Sequence, residues 1–80
     1  MAAVASAHHL PMAPHGNHYL GAHAVAAVDN GLIVESYAGL RPWQEEFLAP
    51  VELRDGELVL PQTPGLGIVV DWAALQKAAR

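Results

Sequence analysis

Two residues of the 80-residue chain are of the kinds that move protons, and each closes a short apolar run. His15 follows "LPMAP" and Glu35 follows "LIV", 20 positions further on. A histidine titrates at about 6.5 and can take or give a proton at neutral pH. A carboxyl group in an enclosed site is raised toward neutrality and can then donate a hydrogen bond. Together such a pair can remove a proton beside a carboxylate and stabilise the enediolate that results. Residue types alone leave a second reading open, in which both are solvated residues at strand ends.

The choice between them depends on the elements that carry the pair. "GNHYLGAHAVAAV" reads as a helix with Asn17 as N-cap, an apolar stripe of Leu20, Ala24, Ala27 and Val28, and Gly31 as its C-terminal cap. Gly21 inside it marks close packing. "LPMAP" reads as a short strand, with Pro11 and Pro14 near its ends. "LIVE" reads as a brief buried strand. Two strands joined by a helix run parallel, since an antiparallel pair needs only a tight turn. Parallel strands finish at one edge, where α/β sheets and barrels place their sites. The spacing of His15 and Glu35 is therefore one βαβ step.

The flanking segments are read in the same way. "AAVASAHH" is the end of a helix, with His8 and His9 at its C-terminus. Pro42 suits a first helical turn, and Glu45 and Glu46 the positive end of a short helix through Leu48. "VELR-DG-ELVL" predicts a hairpin with a type I′ turn at Asp55-Gly56. "PQTPG" is a loop and "LGIVV" a further strand. Asp71 then caps a last helix, "WAALQKAAR", with Lys77 and Arg80 at its negative end.

Composition narrows the function classes. A chain of this size buries only about 60% of its unfolded surface and makes one small domain at most. There is no cysteine, which excludes disulfides and Cys-based zinc sites and fits a cytoplasmic protein. The net charge is −4 with no basic cluster, so nucleic-acid binding by phosphate neutralisation has no support. No apolar run reaches the roughly 18–20 residues of a membrane span. Met1–Ala7 lacks the basic flank of a secretory signal.

The five histidines, His8, His9, His15, His18 and His23, do not share a helical face or an HExxH pattern, so no native zinc site is expected. His23 reads as structural. "GLG" at Gly65–Gly67 precedes a strand instead of opening a helix and is not a phosphate loop. Trp43, Phe47 and Trp72 read as core or cap contacts and not as a binding platform.

"PMAPHGNHYLGAHAVAAVDNGLIVE" followed by "ELVLPQTPGLGIVVDWAAL" resembles the C-terminal end of the enolase superfamily, in the mandelate racemase/muconate lactonizing enzyme family and its mandelate racemase-like subgroup. The resemblance rests on Pro14-His15, Ala22-His23, Val34-Glu35 and the closing run Leu60 through Ile68, and covers nearly the whole chain. It implies a (β/α)₇β barrel with a separate capping domain. This chain would supply the last two barrel strands, residues 1–50, and a tail, residues 51–80, that returns to the cap.

The resemblance also implies abstraction of a proton alpha to a carboxylate, with Mg²⁺ stabilising the enediolate. His15 looks like the general acid/base and Glu35 like the acid that hydrogen-bonds the substrate carboxylate. The implied substrates are hydroxy acids or sugar acids, and the implied reactions racemisation or dehydration. The family's three metal-binding carboxylates, its Lys base and the Asp that orients the histidine lie on strands outside this chain. Asp29, Glu45, Glu46, Glu52, Asp55, Glu57 and Asp71 sit in caps, turns and hairpin positions. The expectation is a C-terminal fragment, inactive and without a metal site alone, that associates with the missing segments or with itself. The other expectation is a non-catalytic remnant or interaction module that pairs with a partner chain.

Overall fold

The computed structural model describes residues 1–79. It contains α1 (Ala2–Ala7), α2 (His18–Ala26), α3 (Arg41–Phe47), β1 (Glu52–Arg54), β2 (Glu57–Val59) and α4 (Trp72–Ala78). The chain divides into two compact units, Met1–Ser36 and Tyr37–Arg80.

In the first unit, α1 ends where the sequence places its end. His9 takes a left-handed φ of 56°. The N–H groups of His9 and Leu10 then donate to the carbonyls of Ser6 and Ala5 at 2.9 Å each. This is the paired-bond closure that usually employs glycine. Asn17 caps α2 as expected, its side chain accepting from the Tyr19 N–H at 2.9 Å.

The far end of α2 departs from expectation. Ala27, with φ −85° and ψ −6°, is the C-cap, not Gly31. Gly31 is small for a different reason: a Cβ there would run into the Val25 carbonyl. The apolar stripe is also displaced. The buried residues of α2 are His18, Tyr19 and Ala22, whereas Leu20 is exposed. Ala24, Ala27 and Val28 instead line an open apolar cleft with Met12 and Pro14.

The two short strands of this unit are reduced to one parallel bridge, Met12 with Gly31. The Met12 N–H donates to the Asn30 carbonyl at 2.7 Å, and the Leu32 N–H to the Met12 carbonyl at 2.8 Å. The direction is the parallel one that the connecting helix requires. "LIVE" is not a buried strand, since Leu32 and Ile33 are 62% and 61% exposed. A ladder grows by pairing on both sides, and the described residues offer this segment one short neighbour.

In the second unit, α3 begins with Pro42 in its first turn and ends at Phe47. Glu45 and Glu46 are not at its positive end. They fall in its later half, where Glu45 meets the Arg41 guanidinium one turn back at 3.4 Å. The hairpin forms in the expected register, Arg54 opposite Glu57, with Asp55 and Gly56 at φ 52° and 80°. These left-handed values are those of a type I′ turn.

"LGIVV" yields a single antiparallel bridge, Leu48 with Val70, in place of a strand. Asp71 caps α4 by accepting from the Ala74 N–H at 2.9 Å. Arg80 lies outside the described residues. Trp43 and Phe47 do make a contact, edge to face with ring centroids 6.1 Å apart, but Trp43 and Trp72 are about two-thirds exposed and are not core residues.

Candidate functional site

The site is built where the two parallel segments run out. Met12 and Gly31 are bridged side by side, and the chain reaches His15 three residues after one and Glu35 four residues after the other. Both therefore leave at the same end. His15 Nε2 lies 4.0 Å from Glu35 Oε2. That separation exceeds a direct hydrogen bond, so the two groups flank a gap instead of closing on each other.

Helix α2 keeps the two ends level. Gly21 faces Val34 and Pro14, the residues that precede Glu35 and His15. A Cβ at Gly21 would stand 3.1 Å from Val34 Cγ2 and 3.3 Å from Pro14 Cγ. Close packing at Gly21 was legible in the sequence, and its partners are now identified as the two segment ends.

Two contacts that sequence reasoning missed complete the site. The Gly16 N–H donates to Glu35 Oε2 at 3.1 Å. This fixes the carboxylate at the turn into α2, and Gly16 takes a φ of 103° to make that turn. One residue on, Ser36 Oγ lies 3.3 Å from Nδ1 of His18. The His18 ring stacks on Tyr19 with centroids 4.5 Å apart and is 1% exposed. The available signal was a glycine directly after the candidate base, at the start of a capped helix. No signal in the sequence pairs His18 with Ser36.

The electrostatics are those of an open surface. The His15 side chain is 86% exposed and that of Glu35 42%. Attraction between charges at this distance is about 1 kcal/mol in water and grows only when solvent is excluded. Proton transfer from carbon needs a more enclosed environment than these residues make.

A sequence model of the family described as "Enolase C-terminal domain-like" matches residues 1–74. The chain belongs to the enolase superfamily. Its place there is the C-terminal domain of the mandelate racemase/muconate lactonizing group. Among its superfamily relatives, the 3,6-anhydro-α-L-galactonate cycloisomerase of Streptomyces coelicolor is 34% identical over 80 residues, which are 99% of this chain and 21% of the relative. The crystal structure of an enolase from the alpha proteobacterium BAL199, with bound Mg, matches at a TM-score of 0.80 and 31% identity. That match covers 95% of this chain and 20% of the other. The chain thus spans about a fifth of the length of the superfamily members it matches.

Mg²⁺, implied by the resemblance to this superfamily, does not fit the donors at hand. It needs near-octahedral oxygen ligation. Among the described residues no three His, Asp or Glu side chains come together as a metal-binding group. The carboxylate at the segment ends is Glu35, whose Oε2 already accepts from Gly16. Also among the described residues, no helix is long and apolar enough to cross a membrane.

Proposed function

We propose that this chain is the C-terminal portion of a Mg²⁺-dependent enolase-superfamily enzyme that removes the proton alpha to the carboxylate of a hydroxy acid or sugar acid, as a racemase or dehydratase. The observation that carries this reading is the meeting of His15 and Glu35 at one end of a parallel pair, 4.0 Å apart. His15 is the general acid/base, and Glu35 donates a hydrogen bond to the substrate carboxylate. The sugar-acid class is favoured by the anhydro-galactonate named for the Streptomyces coelicolor relative.

In this reading residues 1–50 close a (β/α)₇β barrel and residues 51–80 return to a capping domain. On the same reading the metal ligands and the Lys base lie outside this chain. Alone, the chain is inactive.

A non-catalytic interaction module is the second reading. It is favoured by one observation, the exposure of Leu32 and Ile33 beside a core whose buried side chains are Tyr19, Ala22 and His18.

The test is a hybrid in which this chain replaces the matching stretch of the Streptomyces coelicolor cycloisomerase. Exchange of the substrate's alpha proton is followed in deuterium oxide. His15→Asn should lower exchange by about 100-fold or more, the scale of losing a general base, with Mg²⁺ affinity unchanged by calorimetry. Exchange at the parent rate would remove His15 from the chemistry.

A further inference from the structure

His18 is the most enclosed side chain among the described residues, at 1% exposure, and it belongs to neither role above. A buried imidazole must satisfy polar atoms that water would otherwise serve. Its Nδ1 reaches 18 residues along the chain to the Ser36 hydroxyl, 3.3 Å away. Ser36 directly follows Glu35. The backbone N–H two residues before His18, that of Gly16, donates to Glu35 Oε2. Two bonds thus join the turn into α2 to two consecutive residues, one at the carboxylate and one just beyond it.

We propose that His18 is a positioning residue for Glu35: through Ser36 it fixes the backbone after Glu35 and so holds the carboxylate on the Gly16 amide. The Gly16 contact and the 4.0 Å approach of His15 both use Oε2. Holding that oxygen in place turns Oε1 to a defined direction, from which, when it carries the proton, it can donate a hydrogen bond to a substrate carboxylate. Without the Ser36 anchor, a 42% exposed carboxylate is free to rotate into solvent. The stacking of His18 on Tyr19 fixes the ring from the core side. Asn17, capping the same turn through the Tyr19 N–H, fixes its backbone.

This inference rests on Glu35 being the working acid, but it can be tested without turnover. The amide proton of Gly16 in the ¹⁵N-labelled chain, dilute and cold, should shift as the Glu35 carboxylate titrates. Ala74, whose N–H is held by the Asp71 carboxylate in the other unit, serves as an internal reference. Ser36→Ala removes the hydroxyl of an exposed residue, and His18→Phe keeps an aromatic ring while removing Nδ1. Each should reduce the Gly16 titration shift by about twofold or more, as expected when the hydrogen bond that anchors the residue after Glu35 is lost. The Ala74 shift should not change. Ser36→Thr, which keeps a hydroxyl, should retain the Gly16 shift.

An undiminished Gly16 shift in Ser36→Ala would overturn the proposal. So would equal loss at Gly16 and Ala74 in that variant, because Ser36 would then support the whole fold. Failure of the hybrid enzyme to exchange protons, with the Gly16 coupling intact, would count against the role of Glu35 and leave the anchor standing.

Discussion

Gly21 of α2 and Val34 lie so close that a Cβ on the glycine would stand 3.1 Å from Val34 Cγ2. This contact sets how near the helix comes to the two chain ends that carry His15 and Glu35. The Pro14 ring closes the same gap at 3.3 Å. A proline ring and a β-branched side chain are both poor at moving aside.

Gly21→Ala is therefore expected to destabilise the chain. Alanine gains about 1 kcal/mol in helix propensity, while overpacking costs about 1–3 kcal/mol. The expected net loss is about 1 kcal/mol, read by urea unfolding under circular dichroism. The Gly16 amide resonance should move as well, because α2 pushes on both Pro14 and Val34. A more stable Gly21→Ala chain would mean that this packing is loose.

The Asn30 side chain ties α1 to the rest of its unit. Its amide donates to the carbonyls of Ala2 and Leu10, 3.1 Å each. Asn30→Ala removes both bonds, and at about 1 kcal/mol for each partly solvated bond the loss should total roughly 1–2 kcal/mol. Amide exchange should accelerate through Ala5–Leu10 and stay unchanged in α4. Uniform acceleration across both units would instead indicate that Asn30 supports global stability.

What was legible in the sequence was local. The Asn17 and Asp71 caps, the end of α1 near His8 and His9, and the Asp55-Gly56 hairpin each depend on side chains within a few residues. Chemistry of that kind is written in short windows. "LPMAP", "LIVE" and "LGIVV" are apolar runs, but a strand is defined by its neighbours. With a partner on only one side, "LPMAP" and "LGIVV" keep single bridges at Met12 and Val70, and the partner of Met12 is Gly31, just before "LIVE". The α2 stripe failed for a related reason. Its apolar side lines an open cleft, while the buried side is chosen by His18 and Tyr19 packing beneath the turn. The pairing of His15 with Glu35 was legible because one helix between parallel segments leaves little freedom. The His18 to Ser36 contact was not, since it joins two polar residues 18 positions apart with no periodicity.

Self-association is the next expectation. Among the described residues the buried apolar ones are Tyr19 and Ala22, while Leu32 and Ile33 stand bare beside a single bridge. Exposed, unpaired strand edges of this kind recruit further strands. Sedimentation should show mass rising with concentration, and the melting temperature should rise with it. Leu32→Lys with Ile33→Glu should weaken association by placing charges on that edge. A monomer with a sharp, concentration-independent melt would contradict this.

The isolated chain should show no measurable alpha-proton exchange and no stoichiometric Mg²⁺ site. Enolisation of a carboxylate puts a second negative charge on the carboxyl group, and catalysis requires preorganised positive charge or hydrogen-bond donors there. The described residues supply Glu35 and an exposed imidazole, with no cluster of three potential metal ligands. One half-exposed carboxylate competes poorly with the water shell that Mg²⁺ surrenders reluctantly. His15, 86% exposed, sits in solvent, where even a charged pair is worth about 1 kcal/mol at most. Calorimetric titration of Mg²⁺ into the 80-residue chain should give no saturable heat, and anhydro-galactonate should keep its alpha proton in deuterium oxide. The hybrid with the Streptomyces coelicolor relative should gain both properties together. Robust exchange by the chain alone would mean that His15 and Glu35 suffice without the segments the relatives add.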